Sequence, residues 1–336
     1  MAQRGKILQA LKDWLKTVNR NQRWCILINA DPDAMGSAAA LKRIMASRTS
    51  ADMYRINEIT RPDNLAMLRY LHLNIPMWEE SLKEKYTHFA IVDSQPHHSK
   101  AFADIPFSVI VDHHPAPRAE CQPDFQPQFV DIRPHIGATC TIFCSYLRGL
   151  GLRPSPTLAT AMTLGIRTDT ALFERGGGKD DLDAYQWLSG KANQQLLRRI
   201  IRSEYLRNWL PLFARAFRNL SECRGSGAHA WVGDVTNADL LVAIADFFTR
   251  VHGLKWIAVS GLVLKKTVVV IFRGDGSRDI GRLADACFYD VGTAGGHRTL
   301  GRAEFPFENV PEGKSCMEFV QERLQKRKLR PRARDK

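Results

Sequence analysis

Phe107-Ser108-Val109-Ile110-Val111-Asp112-His113-His114 decides the reading of this chain: an apolar run of strand length that stops on an acid and two imidazoles. A β-branched run with so little polar interruption suits a strand buried on both faces, as strands of a parallel sheet are. The same grammar recurs upstream. Trp24-Cys25-Ile26-Leu27-Ile28 leads into Asn29-Ala30-Asp31-Pro32-Asp33, then past Gly36 and Ser37 into a helical stretch, Ala38 to Met45. Phe89-Ala90-Ile91-Val92 ends at Asp93. Continuous apolar strands separated by helical segments predict an α/β fold, a doubly wound parallel sheet with helices on both faces. Ligands of such sheets gather at the carboxyl ends of the strands, and here three strands end in aspartate.

Outward from this core, Ile7, Leu8, Leu11, Trp14, Leu15 and Val18 recur at helical spacing over residues 5–20. Helices are expected from Gly137 to Leu150 and from Thr157 into Gly165-Ile166-Arg167-Thr168-Asp169-Thr170. Residues 182–218 read as helical and basic. After Gly225-Ser226-Gly227 the pattern turns to β-formers, with a hairpin expected around Leu264-Lys265-Lys266. The organisation predicted is a first domain over 1–190, a helical basic linker over 191–224, a smaller α/β domain over 225–318 and a basic tail over 319–336.

The net charge of +13 is concentrated. Residues 191–218 hold Lys191 and six arginines against Glu204, and 323–336 hold eight Lys/Arg against Asp335. Such basic stretches suit a polyanionic substrate, while a solvated helix face and a solvated tail account for the same charge without function. The seven cysteines form no CxxC pair and read as thiols of a reducing compartment. No apolar stretch is long enough to span a membrane, and the N-terminus shows no h-region. A cytoplasmic protein is expected.

Asp31, Asp33, Asp93, Asp112, His113, His114 and Asp169 are the acids and imidazoles at these strand and helix ends. Brought together, that many carboxylates could not all stay ionised without cations. Mixed carboxylate and imidazole ligands suit Mn²⁺, with Mg²⁺ or Co²⁺ as substitutes, one or two ions per chain. Such ions acidify a water, aim it at phosphorus and neutralise phosphate oxygens. Taken singly, Asp-Pro-Asp is a turn and helix cap, Asp93 a strand-end turn and Thr168-Asp169-Thr170 a capping segment. The functional reading rests on their order, each behind an apolar run.

The ordered set Asp31-Pro32-Asp33-Ala34-Met35-Gly36-Ser37, Asp93, Asp112-His113-His114-Pro115 and Gly165 to Thr170 resembles the DHH phosphoesterase family. Gly295-Gly296-His297 is similar to the glycine-rich signature of its C-terminal substrate domain. The resemblance covers about residues 20 to 318. It implies that Asp93 bridges two metals, that Asp33, His113 and Asp169 complete one site, and that Asp31 belongs to the other. It further implies that His114 contacts the scissile phosphate or the leaving group, with Asp112 supporting the histidines. Arg273, Gly295, Gly296, His297 and Arg298 become candidates for substrate binding, through glycine backbone N–H groups and arginine forks.

By architecture the resemblance is to nanoRNases and 3′-phosphoadenosine-5′-phosphate (pAp) phosphatases. The expected activity is metal-dependent hydrolysis of short RNA or DNA oligonucleotides or nucleoside phosphates. A cyclic-dinucleotide phosphodiesterase, a polyphosphate hydrolase and a non-hydrolytic nucleotide sensor stay open. The family's habit also implies a homodimer. One position departs: four residues before Asp31 the family usually has histidine, and this chain has Leu27. Either the second ion binds weakly, or His97 or His98 replaces the missing donor, or the chain binds without turnover.

Overall fold

The computed structural model describes residues 2–115, 125–173, 177–203 and 205–326. Cys121 and the expected tail from 327 onward lie outside them. The chain divides into two compact units, Met1–Ser203 and Glu204–Lys336.

The first unit runs α1 (Ala2–Thr17), β1 (Trp24–Ile28), α2 (Pro32–Met45), β2 (Ala51–Arg55), α3 (Pro62–Tyr70), β3 (His88–Val92), β4 (Phe107–Asp112), β5 (Phe129–Ile132), α4 (Thr139–Gly149), α5 (Pro156–Asp169), α6 (Lys179–Ser189) and α7 (Gln194–Ile201). Its five strands form one parallel sheet, order β2-β1-β3-β4-β5. Every residue of β1 is buried, because alternate side chains enter different cores. Trp24, Ile26 and Ile28 join residues of α1, α2, α4 and α5. Cys25 and Leu27 join Phe89, Ile91, Phe107 and Ile110, with Phe102 and Ile105 from the β3–β4 connection. Both faces are covered as expected, but the second by short 3₁₀ turns and by Tyr54, Trp78 and Tyr86 more than by long helices.

The second unit runs α8 (Leu210–Arg218), β6 (Leu220–Cys223), β7 (Gly227–Val235), α9 (Asp239–Phe248), β8 (Trp256–Val263), β9 (Thr267–Gly274), α10 (Ile280–Phe288), β10 (Thr293–Gly296), β11 (Leu300–Pro306) and α11 (Cys316–Lys326). Its mixed sheet has the order β10-β11-β9-β8-β7-β6. The hairpin falls where β8 and β9 were expected to meet, with Leu264 and Lys265 at φ +50° and +58°. Two successive left-handed residues form the turn whose twist matches antiparallel strands.

Two boundaries differ from the sequence reading. The expected linker is shared out: α7 buries Leu197 and Ile200 in the first unit, while α8 buries Phe213 and Ala216 on the second. The expected tail begins too early, because α11 buries Phe319, Val320 and Leu324 in the second unit's core. Its basic residues had masked an amphipathic helix. The six described cysteines are free thiols, and no described helix is long and apolar enough to cross a membrane.

Candidate metal centre

The sheet order places β1, β3 and β4 side by side, so the three aspartate-ending strands are neighbours. Asp31 caps α2, its Oδ1 accepting the Ala34 N–H at 2.9 Å, and Pro32 starts the helix without needing a donor. Asp33 is fully buried. Its Oδ2 accepts the Thr139 N–H at 2.5 Å and its Oδ1 the Cys140 N–H at 2.9 Å, so the first turn of α4 holds it. Two glycines make room. A Cβ at Gly36 would lie 2.7 Å from Cys140 Sγ, and one at Gly165 would lie 2.8 Å from Asp33 Oδ1.

Asp93 follows β3 with φ +57°, a left-handed conformation that aspartate tolerates better than most residues. Its Oδ1 accepts the Thr139 hydroxyl at 2.8 Å. His113 donates from Nδ1 to the Ile136 carbonyl at 3.1 Å, which leaves Nε2 as the metal-facing nitrogen. That Nε2 is buried with no hydrogen-bonding partner, 3.2 Å from Asp169 Oδ2 and 3.5 Å from Asp93 Oδ1. Asp169 ends α5, where the helix dipole is negative and a second negative charge calls for a cation.

Donor atoms of Asp33, Asp93, His113 and Asp169 all lie within 4.8 Å of one another. Their titration carries the strain of this crowding. Burial, then the charge of Asp169, pushes Asp31 up to about 7 and Asp33 up to about 6. Burial and the neighbouring acids hold Asp93 well above the carboxylate range. Burial disfavours a charged His113, but Asp169 and Asp33 outweigh it and raise the imidazole to about 9. A divalent cation fits this group, since it would displace the proton from His113 Nε2, take that lone pair and relieve the repulsion between the carboxylates.

Asp31 joins no such group of three donors among the described residues. Leu27 is wholly buried in the apolar cluster on the sheet face it shares with Cys25. His98 sits with Asp112 and His114 instead, its ring 5.4 Å from that of His114. His97 stacks edge-on against it at 4.3 Å.

Asp112 is fully buried, and both its oxygens are engaged. Oδ1 accepts from His113 N and from His114 Nδ1, each at 2.8 Å; Oδ2 accepts from Gln95 Nε2 at 2.6 Å. Burial opposes its ionisation, yet the His114 and Gln95 bonds prevail and hold it below its ordinary range. The bond from Asp112 in turn raises His114, whose ring is half-exposed and which also offers a donor atom within 4.8 Å of those of Asp93 and His113. Gln95 and Thr139 were not singled out in the sequence. Gln95 stands two residues after Asp93, but an amide there carries no chemistry of its own, and Thr139 acts partly through its backbone.

In the second unit a hollow of about 540 Å³ is lined by Arg273, Gly295, Gly296, Arg302 and Glu304 among others. Arg273 donates to Asp246 Oδ1 at 2.6 Å. A Cβ at Gly296 would come within 2.2 Å of the Leu300 carbonyl, so that glycine is required by the β10–β11 approach itself. Gly295 has open space around it. His297 and Arg298 do not line the hollow; Arg298 donates from Nε to the Gly276 carbonyl at 2.8 Å.

The parallel α/β sheet brings buried carboxylates and an imidazole together at its carboxyl edge, where ligands of such sheets gather, as a donor set that a divalent cation fits. Residues 24–166 match the DHH family, N-terminal domain. The chain is 29% identical over 302 residues to the uncharacterized protein MJ1633 of Methanocaldococcus jannaschii, covering 88% of this chain and 61% of that protein. It thus spans about three fifths of that relative's length. An exopolyphosphatase-related protein from Bacteroides fragilis shares the fold with a TM-score of 0.70 at 15% identity, over 94% of each chain. Exonuclease RecJ bound to manganese does so with a TM-score of 0.50 at 12% identity, over 95% of this chain and 93% of that one.

Proposed function

We propose that this chain is a divalent-metal-dependent phosphoesterase that hydrolyses short oligonucleotides or nucleoside phosphates such as pAp. The observation that carries the reading is the buried, unpartnered Nε2 of His113 among the carboxylates of Asp33, Asp93 and Asp169. Mn²⁺, Mg²⁺ or Co²⁺ held there supplies a Lewis acid and an acidified water. The chain's own residues do the rest. Thr139 and Cys140 fix the Asp33 carboxylate, and Ile136 fixes the His113 tautomer. His114, tied at Nδ1 to Asp112, offers Nε2 to a phosphate oxygen or to the departing oxygen. In the second unit, Arg273 and the Gly295 backbone are candidates for binding a phosphate group.

Leu27 favours a second reading, in which one ion is held and nucleotide is bound without turnover. A panel with Mn²⁺ decides between them: dinucleotides, pAp, cyclic dinucleotides, long single-stranded DNA and polyphosphate. Release of mononucleotide or phosphate from the short substrates is expected, and its loss in Asp93→Ala. Nucleotide binding without turnover on any member would establish the sensor instead. Turnover confined to polyphosphate or to cyclic dinucleotides would move the substrate class accordingly.

A further inference from the structure

We infer that Asp181, which lies in none of the motif segments, is a positioning residue for the metal centre; the inference rests on the metal-dependent reading above. Asp181 is wholly buried in the first turn of α6. Its carboxylate accepts the Gly178 N–H at 2.9 Å, which is an ordinary helix cap. It also accepts the Gly137 N–H, at 3.1 and 3.0 Å to its two oxygens, and the Thr141 hydroxyl at 2.6 Å. Those two donors do nothing for α6. Gly137 belongs to the turn that leads into α4, and Thr141 to the first turn of that helix.

That turn makes four contacts with the metal-site side chains. The Ile136 carbonyl accepts from His113 Nδ1, Thr139 N and Cys140 N donate to Asp33, and Thr139 Oγ1 donates to Asp93. Gly137 lies within this stretch and Thr141 directly follows it, on either side of Thr139. Asp181 therefore clamps the backbone that orients three of the four ligands. An acid is needed because all of its partners are donors, and a carboxylate is acceptor-only. In asparagine either placement of the NH₂ sets it against a backbone N–H, of Gly137 or of Gly178, and weakens that buried contact. Residues that hold metal ligands in place are commonly worth 10–100-fold in metal affinity.

The test is the Mn²⁺ dissociation constant of the full chain, read from the paramagnetic resonance of free Mn²⁺, with melting curves of the metal-free protein alongside. Asp181→Asn is expected to weaken Mn²⁺ by about 10–100-fold. Thr141→Val cuts the link to α4 while leaving the α6 cap intact, and is expected to weaken Mn²⁺ to a smaller degree. A cap alone would lower the melting temperature of metal-free Asp181→Asn and leave the Mn²⁺ constant of both variants unchanged, which would overturn the inference. Should Asp181→Asn not fold, an unchanged constant in Thr141→Val overturns it. A wild-type chain that takes up no Mn²⁺ removes the metal reading itself, so the two failures are told apart.

Discussion

The Asp112 carboxylate uses both oxygens on protein donors and so cannot itself be a good ligand. Its part is to hold His114 in one tautomer and one orientation. Asp112→Asn should therefore cut turnover by about 10–100-fold while the Mn²⁺ constant moves much less. An equal loss in both would make Asp112 a ligand support and not a guide for His114. Leu27 leads to a stoichiometry. With no imidazole at that position and none joining Asp31 in a donor group, metal titration by calorimetry should find one tight ion per chain. A second ion of equal affinity in the absence of substrate would mean that another donor has reached Asp31. At this scale the sequence was informative wherever chemistry resides in residue type. Asp33, Asp93, His113 and Asp169 are acids and an imidazole, and they do converge. The groups that hold them were illegible, because the N–H of Thr139 or Cys140 looks the same in every residue.

Among the elements, the packing of α2 against α5 is set by Gly36 and Gly165. A methyl at Gly165 would meet Asp33 Oδ1 and Cys140 Sγ at 2.8 Å and Asp33 Cα at 2.9 Å. Gly165→Ala is expected to destabilise the first unit by about 1–3 kcal/mol through overpacking. A melt unchanged from wild type would show that the helices can part without loss. In the second unit, His229 of β7 and Ser260 of β8 share a 2.7 Å hydrogen bond between Nε2 and the hydroxyl in a buried setting. Burial depresses His229 from 6.5 to about 4. The unfolded chain therefore takes up a proton that the folded chain refuses. The stability from this residue is full above pH 6.5 and is lost as the pH falls toward 4, amounting to about 3 kcal/mol. His229→Gln should flatten the pH dependence of melting in that window, and an unchanged slope would assign the acid sensitivity elsewhere. The hairpin was foreseen from its β-formers, but not that Leu264 and Lys265 would both adopt positive φ, since neither residue type favours it.

For the whole molecule, the separate hydrophobic cores of the two units predict two unfolding transitions in calorimetry. All four candidate ligands lie in the first unit, so Mn²⁺ should raise one transition and leave the other in place. At a hundredfold excess over the dissociation constant the shift is worth about 2.7 kcal/mol, or about 5–10 °C for a unit of this size. Both transitions rising together would mean that the units unfold as one. The sequence by itself determined the α/β class, the aspartates that follow three of its strands, the aspartate-histidine-histidine run and the departure at Leu27, because strand periodicity and ligand chemistry are local properties of residue type. It placed the end of the second unit too early and drew a linker where two amphipathic helices pack. Only the tertiary structure decided that β1, β3 and β4 are adjacent, that the first turn of α4 cradles Asp33, and that Asp181 holds that turn. Strand order, close approach at glycine and backbone donors arise from contacts between segments far apart in the chain, and no local pattern encodes them.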